Sequence, residues 1–462
     1  MAGSSPRPTC SVSNNTCVDE GTSSLMYSPA PCATGKQFSY PPEKIWAELV
    51  SDPPFAAQDK IFTLSHHFQL FARLQNNIDL KDGLINYQPL ANPDLYQAYA
   101  ERMQLRSEWV HAIAQSRHLV KGLNSFELNL PPEQLNALKG YLNRRLLEAT
   151  PYYTQMANLN LLQDGPKSKA WTRTCNLTTL SMAMEALGVG PEDFNGNTER
   201  LQRIANTLEA WRYEKYQEKA EKGVGAFCVL DVKAMRMPDL LQFVAVYLFV
   251  DLQIDDLRGP AYLKKISAAR DTAVKQIIYY DFLRKIAGLF GVKCSKDQSI
   301  YSFGEDRMGR ANKIENLKAK MQKLQGQIPA TMSDGFNQGD ANLNEYYKAK
   351  GEELDQESQL SELENKFSQP GAMEEAVRKY QRLIIQKISP ELDKGNQIFL
   401  HRPGLRVGQS GHYMKLHDID RSGSAQIGLY IDDPWDPGKR SPLTWRQAYE
   451  IGYLDSYMIM SK

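Results

Sequence analysis

The chain lacks the opening that would mark it for export. Met1 is followed by Ala-Gly-Ser-Ser-Pro-Arg-Pro, with no basic stretch leading into an apolar one, so a secretory signal peptide is not expected. A long apolar run is missing as well. The most apolar stretch, Leu240–Val250, is interrupted by Gln242 and closed by Asp251, well short of the ~20 residues a spanning helix requires. Stable membrane insertion is therefore not expected, and Leu240–Ile254 and Ala273–Phe290 read as buried helices. Charge of one sign is also absent. The formal net charge of +1 offers no global field for nucleic acid or an anionic surface, although a local patch can hide inside a neutral total. Cysteine is scarce. The six cysteines form no CxxC pair, which argues against a zinc site and against a dense disulfide scaffold. Cys10, Cys17 and Cys32 lie in a Ser/Thr/Pro/Gly-rich leader, whereas Cys228 and Cys294 sit in apolar sequence and read as small core residues. No metal or organic cofactor is implied, and there is no internal repeat.

What is present suffices for two or three packed units, the natural division of 462 residues with 42% hydrophobic and 24% charged content. Residues 1–40 are short of large apolar side chains and read as a flexible leader. Residues 41–150 turn helical, with Tyr99, Met103, Val110, Ile113 and Val120 on one face at helical spacing. His111 and His118 flank that face with no third ligand in view, and the adjacent His66 and His67 point different ways. Residues 151–195 change character, 196–385 are mostly helical, and 386–462 are strand-rich. Within the helical stretch, Ile314, Leu317, Met321, Leu324 and Ile328 step by three and four, as a helical hairpin or short coiled coil would. The polar, Gly-punctuated stretch Ser333–Gln369 reads as a mobile excursion.

Two distant segments carry chemistry. In the first, Leu177, Leu180, Met184 and Leu187 form an apolar stripe at helical spacing, Thr174 is a suitable N-cap and Gly188 supplies the stop. Cys175 then falls in the first helical turn, where unpaired N–H groups and the positive end of the helix dipole stabilise a thiolate. A structural cysteine at a helix start would look the same. In the second, residues 412–417 alternate as a strand. His412, Met414 and Leu416 share an apolar face, and Tyr413, Lys415 and His417 share an outward one on which His417 is solvated. Gly411 leaves room for a substrate or for the nucleophile helix. A second strand follows, with Ile427, Leu429 and Ile431 on one side, Asp433 continuing their parity and Pro434 ending the run. A hairpin of these strands sets Asp433 within reach of His412, where a carboxylate holds the imidazole tautomer. Asp432 is the competitor, because a bulge at the strand end exchanges the two.

A cysteine at a helix start, then Gly411-His412 on a strand, then Asp433-Pro434-Trp435 after the next, resembles the bacteriocin-processing peptidases, papain-fold enzymes found on export transporters and as free-standing relatives. The resemblance covers residues 151–195 and 386–462. It implies an α+β fold, a papain-like catalytic domain in which the cysteine helix packs on an antiparallel sheet, here with an N-terminal helical domain (41–150) and a large helical insertion (196–385). It implies a Cys175–His412–Asp433 triad and a Gln ahead of the nucleophile as oxyanion donor, which Gln155 supplies, with Asn158 the weaker candidate. This chain departs from the pattern where Asn176-Leu177 stands in place of Gly-Pro, and in the length of the insertion.

The expected reaction is hydrolysis through a thioester. Three function classes follow: a peptidase cleaving a protein target, perceived as a bacterial effector toxin secreted without a signal peptide or as a cytoplasmic enzyme; a peptidoglycan amidase or endopeptidase; and a catalytically silent binding protein. The same triad also serves transferases. An immunity protein or a delivery apparatus is the partner that the effector reading brings.

Overall fold

Proline sets the first turns of the helical layer. Pro42 and Pro132 each open a helix at the position where the missing N–H costs nothing. The computed structural model describes residues 41–77, 93–150, 152, 153, 155, 158, 162, 174–217, 231–250, 260–327, 336–404, 411–421, 428–435 and 440–462. The leader, Cys228, Ile328 and Ile427 lie outside these, as do the side chains of Tyr99 and Met103. Helices α1 (Pro42–Ser51), α2 (Gln58–Asn77), α3 (Pro93–Gly122), α4 (Ser125–Leu128) and α5 (Pro132–Glu148) enclose one core around Trp46, Ile61, Trp109 and Leu142. Val110, Ile113 and Val120 are buried, while His111 and His118 are exposed. His67 is buried against the Ser116 hydroxyl, 2.8 Å away, and His66 is exposed.

A second core joins α6 (Cys175–Ala186), α7 (Thr198–Gln217), α8 (Met237–Tyr247), α9 (Pro260–Gln276) and α10 (Tyr280–Gly288) to one face of a sheet. The expected helix Ala273–Phe290 is thus two helices. The break at Ile277–Tyr279 lets the Ile277 carbonyl accept a hydrogen bond from the Asn176 side chain and the Ile278 carbonyl one from the Tyr413 hydroxyl. The helices between residues 196 and 290 share their core with the cysteine helix.

The sheet is antiparallel and six-stranded, in the order β1-β6-β2-β3-β4-β5. Its strands are β1 (Lys293–Cys294), β2 (Gln397–Arg402), β3 (His412–Ile419), β4 (Leu429–Asp432), β5 (Arg440–Leu443) and β6 (Ser456–Ser461). Alternation divides their side chains between two cores. Phe399, Tyr413, Met458 and Met460 join the α6 side. Ile398, Leu400, Met414, Leu416 and Ile431 meet α13 (Ala372–Asp393) and α14 (Trp445–Ile451) on the other. The architecture is therefore α+β. Between the two halves run α11 (Phe303–Gln325) and α12 (Phe336–Ser368), packed as a hairpin with Leu317, Met321 and Ala349 at the seam.

Two expectations fail here. The stretch 336–368 is one long helix rather than a mobile excursion. Glu, Lys, Gln and Ala are good helix formers, and Lys318 faces Glu353 and Glu357 at 4.0 and 3.8 Å across the hairpin. The outward face of β3 is not outward either: all eight residues of the strand are buried, because helices cover both faces of the sheet. Lys415 is fully buried with its ammonium 2.7 Å from Asp432, and His417 is buried 3.5 Å from the same carboxylate, so His417 is not solvated. Among the described residues no helix is long and apolar enough to cross a membrane.

Candidate active site

Helix α6 is covered on every side. All twelve of its residues are buried, so its apolar stripe continues into a complete jacket. Gly188, with φ of +71°, ends it in the left-handed conformation that suits glycine. Cys175 is the first helical residue and is buried, at the helix end whose first N–H groups lack backbone partners within the helix, that of Leu177 donating instead to the Asn176 Oδ1 at 2.8 Å. Thr174 does not cap this end with its side chain. Its hydroxyl instead accepts a hydrogen bond from the Asn158 amide at 3.1 Å. Farther along α6, the Thr179 hydroxyl donates to the Tyr413 carbonyl at 3.1 Å and pins the helix to β3.

His412 opens β3 opposite Arg402 of β2. Its Nε2 lies 2.6 Å from Oδ1 of Asp433, and Cys175 stands close enough to help raise the pKa of the ring. Since Nε2 faces the carboxylate, Nδ1 is the atom left for the sulfur. Asp433 follows the end of β4, and three contacts fix it. The Trp435 N–H donates to Oδ1 at 2.9 Å, the Tyr152 hydroxyl donates to the Asp433 carbonyl, and the Gln155 N–H donates to the Pro434 carbonyl at 2.8 Å. Asp432 is turned to Lys415 and His417, so of the two aspartates it is Asp433 that meets His412. The bulge that shifts register in this hairpin lies between Leu416 and Asp418 of β3, away from the end of β4.

The electrostatics of the pair are cooperative. Burial on its own pushes the His412 pKa down. The hydrogen bond to Asp433 and the pull of Cys175 and Asp433 beside the ring outweigh it and raise the value to about 9. For Asp433, burial acts to raise the pKa, and the hydrogen bond and positive charge of His412, the Trp435 N–H and the Arg402 charge bring it below the usual value. The ring therefore holds its proton through neutral pH and the carboxylate stays ionised.

Gln155 lies between the two ends of the site. Its backbone is tied to the loop that follows Asp433, and Asn158, three residues on, is tied to Thr174 and Thr178 beside Cys175. Its side chain is fully buried, and neither amide atom has a hydrogen-bond partner among the described residues. Leaving such an atom unpaired costs about 1–3 kcal/mol. Asn158, the weaker oxyanion candidate, is already spent. Its Nδ2 donates to both threonine hydroxyls and its Oδ1 accepts from Arg236 at 3.4 Å. The segment around Gln155 is braced by a buried polar cluster. The Tyr153 hydroxyl donates to Glu185 at 2.6 Å, and the Arg106 guanidinium stacks 3.7 Å from the Tyr153 ring while donating to the Tyr152 carbonyl at 3.2 Å.

One residue beside the site carries no signal of its own in the sequence. His401, on β2, stacks at 4.7 Å on the Tyr413 ring. Burial, then the charges of His412 and Arg402, push its pKa down to about 4, so it stays neutral next to a protonated neighbour. It also explains Gly411. A Cβ there would stand 1.9 Å from the His401 Nε2, so Gly411 makes room for that imidazole and for the Arg402 carbonyl rather than for a helix. Only the pairing of β2 with β3 brings His401 here, and neither strand announces that pairing alone. Cys294 is partly buried on β1, packs at the margin of the α6 core, and has its thiol pKa pushed up to about 11 by burial. Among the described residues no three His, Cys, Asp or Glu side chains gather as metal ligands would. No protein-family model, curated protein or solved structure matches the chain.

Proposed function

We propose that this chain is a cysteine peptidase with a papain-like catalytic fold, hydrolysing peptide bonds in a protein target through Cys175, His412 and Asp433. The observation that carries the reading is a single buried imidazole hydrogen-bonded to an ionised aspartate, with a helix-start cysteine close enough to help raise its pKa. What supports the fold reading is the helix bearing Cys175, packed on the strand that begins with His412 and pinned there by Thr179.

In the proposed reaction His412 already holds the proton drawn from the Cys175 thiol, and the sulfur, as thiolate, attacks the substrate carbonyl carbon. The oxyanion that forms is met by the Cys175 N–H and the side-chain amide of Gln155, donors of the kind worth about 3–4 kcal/mol each in such sites. As the C–N bond breaks, His412 returns its proton to the departing amine, which its raised pKa equips it to carry. Water then enters, loses a proton to His412 and attacks the thioester. The C–S bond breaks, the acid product leaves, and His412 again carries its proton beside the released sulfur. Asp433 holds the ring in the required tautomer and stabilises the imidazolium throughout.

The test is to expose a cell lysate to the wild-type chain and to Cys175→Ala, and to identify new protein N-termini in each. The expected outcome is a set of cleavage sites made only by the wild type. Identical sets from both proteins overturn the peptidase reading.

A further inference from the structure

A cavity of about 680 Å³ lies at the far end of α6 from Cys175, between α3, α5 and the end of α13. Five cationic side chains line it, Arg117, Lys121, Lys139, Lys394 and Lys462, against a single carboxylate, Asp393. That carboxylate is already engaged outside the cavity's own cations, 2.9 Å from Arg144 and 2.9 Å from Arg421. Part of the positive charge serves the fold. Arg117 donates to the Ala186 carbonyl at 2.6 Å and to the Gly395 carbonyl at 2.5 Å, Lys139 to the Lys121 carbonyl at 3.0 Å, and Lys462 to the Gly188 carbonyl at 3.2 Å. These carbonyls belong to the C-terminal ends of three helices, each of which carries about half a negative charge. The balance still favours the cations. Lys394 and Lys462 have carboxylate neighbours at the margin, Glu391 at 2.7 Å and Asp193 at 3.4 Å. Arg117, Lys121 and Lys139 have none among the described residues.

Arg117 gives the second observation. Its Nη2 is buried and has no hydrogen-bond partner among the described residues. With Nε and Nη1 on backbone carbonyls and Nη2 enclosed, this guanidinium gives the cavity its charge rather than a free donor. Burial without a counter-charge pushes its pKa down to about 10. The lysines around it arrive from separate elements, so their charges surround a volume rather than a point, and that volume is of the size that encloses a small molecule.

We propose that this cavity is a binding site for a compact polyanion carrying two or more phosphate groups, held by Lys121 and Lys139 over the buried charge of Arg117 and rimmed by Lys394 and Lys462. The site is separate from Cys175 and does not rest on the peptidase reading. The phosphates can come from a soluble molecule or from a lipid headgroup.

The probes are inorganic tripolyphosphate and phosphatidylcholine vesicles containing phosphatidic acid, offered to the full chain by calorimetry, thermal unfolding and co-sedimentation. The variants are Lys121→Gln with Lys139→Gln, which leaves no carboxylate unpaired, and Lys348→Gln, an exposed lysine of α12, as a control for general charge. Tripolyphosphate is expected to bind at one equivalent per chain, to raise the unfolding temperature and to weaken with salt. The double variant is expected to bind about tenfold to a hundredfold more weakly, while Lys348→Gln binds as the wild type does. Binding of tripolyphosphate without vesicle binding assigns the site to a soluble ligand, and vesicle binding displaced by tripolyphosphate assigns it to a headgroup. The unfolding temperature of each variant without ligand shows that it is folded. Absence of binding to both probes, or equal binding by wild type and a folded double variant, overturns the proposal.

Discussion

Asp432 and Asp433 are neighbours in the chain and both are acidic, but their surroundings assign them different work. Asp433 touches His412, and its side chain is reached by the Trp435 N–H. Asp432 offsets the buried charge of Lys415. Asp433→Asn is expected to lower the peptidase rate by about 10³–10⁴-fold, because the imidazole loses its orienting carboxylate, and to move the urea midpoint little. Asp432→Asn is expected to cost about 3–5 kcal/mol of stability, since it leaves an ammonium buried without its partner, while the rate per folded molecule stays near wild type. Urea titration and initial rates on the same two variants check both; an exchange of these outcomes would return Asp432 to the triad. The separation shows what local sequence can tell. Cys175, His412 and Asp433 are legible because each sits at a punctuation mark: a helix start, a Gly-His strand start and an Asp-Pro strand end. The buried charge of Lys415 and the place of His401 are not legible. They depend on which strand lies alongside and on whether helices cover the second face.

At the scale of elements, the tightest constraint is where α6 ends against α3. Gly188 has a φ of +71°, and a Cβ there would lie 2.4 Å from the Cα of Ala114. Gly188→Ala is therefore expected to destabilise by about 2–4 kcal/mol, combining left-handed strain with overpacking against backbone that cannot yield. Gly122→Ala, at the end of α3 with open space around it, is expected to be near neutral. Thermal unfolding of the pair measures the difference, and equal midpoints would mean that α3 and α6 part readily. The same scale shows why 336–368 does not read as a helix. Its seam holds small or amphipathic residues such as Ala349 and Tyr346, many of its contacts are ion pairs, and its large apolar contacts, Leu363 and Phe367, come only near its end, so it has little of the apolar periodicity by which helices are recognised. Its partner α11 has that periodicity at Ile314, Leu317, Met321 and Leu324, all buried, and was legible for that reason.

Across the whole molecule, several buried groups couple folding to protons in one direction. Burial raises Asp418 to about 7 against the opposing pull of Arg421, and raises Asp455 to about 8 against its hydrogen bond to Ser302. With His412 at about 9, all three bind protons more tightly when folded than their ordinary values of 3.8 and 6.5 allow. Stability contributed by a raised group is complete below its unfolded pKa and is lost as pH rises through the folded one. The Asp418 loss is complete near pH 7 and the Asp455 loss near 8, while that of His412 runs from 6.5 to 9, so the three add between 6.5 and 7 and the slope eases above that. The depressed His401 acts the other way, but only below 6.5. The unfolding temperature is accordingly expected to fall as pH rises from 6.5 to 9, and Asp455→Asn to flatten part of that slope. The peptidase rate is expected to fall above about 9 as His412 loses the proton it delivers to the amine. A flat or rising unfolding temperature over this interval would contradict the linkage.

The strand order has a consequence for how the molecule is made. β6 is made after the other five strands of the sheet, yet it belongs inside it, between β1 and β2. Until it threads into place, β2 presents a bare edge, and the two cores that meet across the sheet lack Tyr457, Met458 and Met460. The nascent chain therefore carries its cysteine helix without the finished support of the strand that leads to its histidine until β6 has been made. Translation itself acts as a delay, completing the sheet only once β6 has been delivered.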